Sequence, residues 1–217
     1  MKKLFFENCT KNIKKEILSK WYDKIYQLYT SENRHYHSLV HVQSLLNLYQ
    51  EYQSLIENKQ VMILSIFFHD VIYDPKKGDN EEKSNEVFQQ FASETNLNQT
   101  VITKVSEYIL ATKRKKLFNS NQSLNDENHY ENDLKLFLDF DWSILGSDEQ
   151  TYEQYSKAVR LEYNHLGELY KQKRLAFLGI ALQKLTNDKL YLTDFGKKQF
   201  LKNSIKNVQN EIKVLSD

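Results

Sequence analysis

The stretch Val61-Met62-Ile63-Leu64-Ser65-Ile66-Phe67-Phe68-His69-Asp70 decides the fold. Its first eight residues are apolar nearly all round, and a helix that is hydrophobic on every side is a buried one. The run then delivers an imidazole and a carboxylate side by side. Both can bind one divalent cation, and one more His and one more Asp would complete a protein cage. Upstream lies Tyr36-His37-Ser38-Leu39-Val40-His41, with imidazoles at i and i+4; downstream lies Leu138-Asp139-Phe140-Asp141-Trp142.

Working outward, helical spacing of apolar residues predicts an all-α chain of roughly eight helices. Segments of about 11–29, 36–57 and 60–73 come first, the last stopped by Pro75. Asp79 reads as an N-cap with Glu82 as its capping-box partner, opening a helix to about 94. A helix over 98–114 follows, and the polar stretch 115–130 reads as a surface loop. A helix carrying Leu134, Phe137, Leu138, Trp142 and Leu145 ends near Gly146. Amphipathic helices over about 148–165, 168–186 and 194–215 complete the chain. One proline and five glycines in 217 residues fit long uninterrupted helices. The expected organisation is one domain over 1–217: a metal core of about 30–146, with the helices of 148–215 packed on it.

Net charge is +1, so no global field attracts nucleic acid or an anionic membrane. The single cysteine, Cys9, excludes an intramolecular disulfide framework and fits a reducing compartment. Met1-Lys2-Lys3-Leu4-Phe5-Phe6-Glu7 turns polar too soon for a signal peptide. No apolar run approaches the roughly 20 residues that span a bilayer. A cytoplasmic protein with no membrane or nucleic-acid partner is expected, its oligomeric state open.

Oxygen and nitrogen donors without a neighbouring thiolate suit Mn, Mg, Fe, Co, Ni or Zn, and exclude a thiolate-based structural zinc site. The order His…His-Asp…Asp resembles the signature of the HD superfamily of metal-dependent phosphohydrolases. The likeness extends to Arg34-x-Tyr36-His37-x-x-x-His41, Phe68-His69-Asp70-x-x-Tyr73-Asp74-Pro75, Asp79-Asn80-Glu81-Glu82-Lys83-Ser84, Phe137 to Gly146, and Val159-Arg160-x-Glu162-Tyr163. These are similar to a branch of predicted HD phosphohydrolases of about 200 residues.

The resemblance implies an HD-type helical bundle holding one divalent ion on His41, His69, Asp70 and Asp141. Asp139, two residues from Asp141, is the alternative ligand, or a cap or a partner orienting a ligating His. It implies hydrolysis of a phosphoester or phosphoanhydride in a small, nucleotide-like phosphorylated molecule. His37, placed with His41 on one helix face, would be a general acid, a further ligand or a support for one. Asp74, one helical turn after Asp70, would face the reacting water or bond its own turn. Glu81 would accept a proton, and Arg34 and Lys83 would hold phosphate. Many relatives carry a His shortly after Ala-Thr. Here Ala111-Thr112 is followed by Lys113-Arg114-Lys115-Lys116, a basic run expected to be a solvated helix end, which implies one ion rather than two. A di-iron oxygenase would need further His ligands, for which His129 and His165 are the candidates. A non-enzymatic metal- or nucleotide-binding module is the other alternative.

Overall fold

The computed structural model describes residues 1–9, 13–113 and 131–217. The described residues are all-helical, with ten α-helices and no strands. The chain divides into two compact units, Met1–Lys113 and Arg114–Asp217, so the expected metal core of about 30–146 spans that division in sequence. No described helix is long and apolar enough to cross a membrane.

The first unit holds α1 (Lys2–Asn8), α2 (Lys15–Tyr29), α3 (Leu39–Tyr52), α4 (Lys59–Phe68), α5 (Asn80–Thr95) and α6 (Gln99–Ala111). Helix α4 is its axis. Every residue from Val61 to Phe68 is buried, and α1, α3, α5 and α6 pack around it. Asn58 starts α4 by accepting from Val61 N–H. Phe67 and Phe68 join a ring cluster with Phe5, Trp21, Phe88 and Phe91, with centroid separations of 5.0 Å for Phe5–Phe67 and 5.1 Å for Phe68–Phe91. Each such ring contributes about 1.5–3 kcal/mol through burial. The seven-residue α1 escapes a periodicity reading because it is so short, yet its Phe5 is fully buried.

Three boundaries differ from expectation. Helix α4 ends at Phe68, not near residue 73. Helix α3 starts at Leu39, because the Ser38 hydroxyl caps it by accepting from Val40 N–H; His37 is therefore outside the helix and does not share a helical face with His41. Asp79 does precede α5, but its side chain makes no capping bond, and Glu82 pairs with Lys113 instead. Lys113 is thus held, not solvated; Arg114, Lys115, Lys116 and the expected loop of 115–130, with His129, lie outside the described residues.

The second unit holds α7 (Asn132–Trp142), α8 (Glu149–Glu162), α9 (Leu169–Thr186) and the 23-residue α10 (Asp194–Ser216), with a 3₁₀ turn at Ser143–Gly146. Gly146 lets that turn touch α10, since a Cβ there would lie 2.7 Å from the Phe200 carbonyl oxygen. A buried network ties α8, α9 and α10. Arg174 grips Glu211 through two N–H···O bonds of 2.9 and 3.0 Å, while Tyr152 and Ser156 donate to the same carboxylate at 2.6 and 2.8 Å.

Burial alone would raise the Glu211 pKa, but Arg174, Tyr152 and Ser156 hold it below its ordinary 4.5. A carboxyl depressed in the folded state stabilises fully above its unfolded pKa, and less as pH falls below it. Thermal melts of the wild type should therefore lose stability below pH 4.5. Glu211→Gln should be less stable at pH 7 by about 3–5 kcal/mol, with a shallower acid dependence; equal acid slopes would refute this role.

Candidate metal centre

Where α4 ends, its last carbonyls have no helical partners, and the end is buried. The turn His69–Ile72 is fixed by side chains from elsewhere in the unit. Tyr29 Oη accepts from Asp70 N–H at 3.3 Å. Arg34 donates to the carbonyls of His37, Asp70 and Val71 at 3.0, 2.5 and 2.7 Å. The Ser84 hydroxyl accepts from Ile72 N–H at 3.1 Å and donates to Ile72 C=O at 3.2 Å. The His69–Asp70 pair therefore sits on a backbone held from α2, the 34–38 loop and α5.

Three donor atoms converge there. His41 Nε2 lies 3.1 Å from His69 Nε2, and Asp70 Oδ2 lies 3.3 Å from His69 Nε2 and 3.9 Å from His41 Nε2. Both imidazoles are buried, at 3% and 1% exposure, so neither is a surface histidine turned inward by chance. His69 Nδ1–H donates to Ile66 C=O at 3.0 Å, which fixes the ring with Nε2 facing His41. Tyr36 Oη stands 3.2 Å from His41 Nδ1 and orients that ring in the same way. A ligating His is ordinarily fixed through its second nitrogen. Adjacent donors on one octahedral first-row ion at bonds of about 2.1 Å lie about 3.0 Å apart, so the His41–His69 separation fits. The imidazoles of His41 and His69 could serve as ligands of a metal ion.

Burial works against the charge of Asp70, yet the imidazoles of His69, His37 and His41 hold its carboxyl well below the usual carboxylate range. It is poised as an anionic ligand. Burial pushes Glu81 above its ordinary 4.5; the negative charge of Asp70 adds to the push and Lys113 opposes it. Glu81 stands in the first turn of α5, half-buried and within electrostatic reach of Asp70. His37 is buried and stacks on Tyr73, with centroids 3.8 Å apart and planes at 18°.

Other expected residues are placed differently. Asp74 does not lie one helical turn beyond Asp70, because the helix has ended. Its carboxylate accepts from Lys76 N–H at 3.0 Å and lies 3.6 Å from Lys77 Nζ, so it bonds its own turn. Lys83 Nζ is exposed and held by Glu86 at 2.7 Å. Arg34 is not in a helix with His37; its terminal nitrogens are turned to backbone carbonyls, so it acts as a clamp. Sequence reasoning gave no role to Tyr29, Tyr36 or Ser84. Only Tyr36, close in sequence to His41, left a local signal; Ser84 is 12 residues from Ile72.

Asp141 and Asp139 belong to α7 of the second unit. Asp139 is fully buried and fully committed: it accepts from Leu192 N–H, Thr193 N–H and the Thr193 hydroxyl at 2.7, 3.0 and 2.5 Å. Asp141, in the last turn of α7, is half-buried. His165 lies in an exposed 3₁₀ turn, with its ring 5.9 Å from Tyr163.

An ammonium cannot reproduce the planar fork of Arg34. Arg34→Lys should cost about 1–3 kcal/mol in thermal unfolding and weaken divalent-ion binding about 10–100-fold by calorimetry. If both quantities stayed at wild-type values, the clamp would not be what holds the turn. In comparisons with protein-family models, curated proteins and solved structures, nothing matches this chain.

Proposed function

We propose that this protein is a metal-dependent phosphohydrolase acting on a phosphoester or phosphoanhydride of a small, nucleotide-like molecule. The observation that carries the reading is the convergence of His41 Nε2, His69 Nε2 and Asp70 Oδ2 on one point, with the second nitrogen of each imidazole engaged. Asp141 is proposed as the fourth ligand from its place in the sequence order. The binding of Asp139 to Leu192 and Thr193 supports choosing Asp141 over Asp139 for that role. A divalent cation held by these residues would acidify a water and polarise a phosphoryl oxygen.

The chain's own groups divide the remaining work. The Glu81 carboxyl, raised by burial, accepts a proton from the attacking water. His37, buried and held flat against Tyr73, protonates the leaving oxygen. Asp74 bonds its own turn and leaves the base role to Glu81. Arg34 serves by fixing the peptide planes of Asp70 and Val71.

One observation favours a second reading, a metal-binding module without turnover. Arg34 and Lys83, the cations expected to hold phosphate, are engaged with carbonyls and with Glu86. Elemental analysis of the purified protein, with a phosphate-release screen over nucleotides in Mn, Mg, Co or Fe, separates the two. Hydrolysis with one ion per chain is expected. Bound metal without phosphate release across the screen would select the module.

His69→Ala and Asp70→Ala should abolish metal binding and release while the helical circular dichroism persists. His37→Ala should keep the metal and slow turnover by roughly 10²–10⁴-fold. Loss of metal in that variant would make His37 a ligand instead.

A further inference from the structure

The second unit contains a cleft of its own, about 660 Å³ in volume, lined by α8, the 167–171 segment and the end of α10. That volume falls in the range of small-molecule sites. Leu161, Tyr170 and Leu215 give it an apolar wall, with Leu161 56% exposed.

Its charge is the informative part. Arg160 lines the cleft with its guanidinium 4.4 Å above the Tyr170 ring. The Arg160 NH1 atom is buried and has no hydrogen-bond partner among the described residues. A buried charged donor without an acceptor is costly, and a ring face does not supply an acceptor. Glu211 also lines the cleft but does not neutralise Arg160, because both its oxygens are taken by Arg174, Tyr152 and Ser156. Lys157 is engaged by Glu153 at 2.6 Å. That leaves Arg160 and Lys171 against Glu168, an excess of one positive charge beside an apolar wall.

We propose that this cleft binds an amphiphilic monoanion, with a single carboxylate at Arg160 and an apolar body along Leu161, Tyr170 and Leu215. The guanidinium lines the cleft and offers a carboxylate a charge-assisted hydrogen bond that sets the head group, while the wall sets the tail. The proposal is independent of the metal reading.

The test is calorimetric titration of the full chain with octanoate, octanol and inorganic phosphate. Octanoate should bind at least about tenfold more tightly than octanol or phosphate, a factor of ten being about 1.4 kcal/mol. Arg160→Met keeps the apolar stem and should reduce octanoate to the affinity of octanol. Where that variant melts appreciably below the wild type, Lys171→Glu, at an exposed position, replaces it and should weaken octanoate several-fold. The proposal is overturned by no octanoate binding at millimolar concentration, by octanol or phosphate binding as tightly as octanoate, or by unchanged octanoate affinity in the properly folded variant.

Discussion

The grip of Arg34 on three carbonyls is the constraint from which the candidate centre follows. A chain that turns inside a core leaves carbonyls that no water can satisfy. Here one guanidinium meets the carbonyls of His37, Asp70 and Val71 at once, and so joins the loop before α3 to the turn after α4. It also lies 4.9 Å over the Tyr29 ring, whose hydroxyl accepts from Asp70 N–H. The Asp70 residue is thus held from both sides, N–H by Tyr29 and C=O by Arg34. Its carboxylate is aimed by backbone that cannot rotate without breaking several bonds in a buried place. Arg34 makes the site by fixing peptide groups, not by touching a ligand.

The facing imidazoles then impose their own logic. At 3.1 Å, His41 Nε2 and His69 Nε2 cannot both carry a hydrogen, and two bare lone pairs would repel. A proton or a cation between them resolves the conflict. His69 has its hydrogen fixed on Nδ1 by Ile66 C=O, so the shared position belongs to His41 or to an ion. Tyr36 accommodates either state, because its hydroxyl can donate to His41 Nδ1 or accept from it. Were a cation held there, neutral His41 would carry its one ring hydrogen on Nδ1 instead of Nε2 and donate it to Tyr36 Oη. The ionised Asp70 alongside favours positive charge at that point in either case.

How much of this was legible in the chain follows from the range of each interaction. The buried axis α4 was legible because an apolar run without a polar face has one physical solution. The pairing of His41 with His69–Asp70 was legible from residue types in order. The end of α4 was not. Pro75 is the local stop signal, but the helix ends at Phe68, and the groups that fix the turn after it are Arg34 and Ser84, remote in sequence. Misplacing that end put Asp74 on a helix turn it does not occupy. The start of α3 turned on one hydroxyl, Ser38, and moved His37 out of the helix. The capping box at Asp79 failed because Glu82 had a competing partner in Lys113, 31 residues away. Local chemistry was readable; competition between local and distant partners was not.

The two acids of Leu138-Asp139-Phe140-Asp141 show the same competition at work. Residues two apart on a helix point about 200° apart, so they cannot serve one partner. Asp139 meets the entry of α10, where Leu192 N–H, Thr193 N–H and the Thr193 hydroxyl converge on it, while that hydroxyl oxygen caps α10 by accepting from Gly196 N–H at 2.9 Å. Gly196 is required there, because a Cβ would collide with the Asp139 carboxylate. Burial pushes the Asp139 pKa up to about 6 against these donors. Releasing this carboxylate to a cation would strip three donors and uncover the start of a 23-residue helix. The same chemistry that makes Asp139 indispensable to the second unit removes it as a ligand. Asp141, on the other side of α7, does not share these donors.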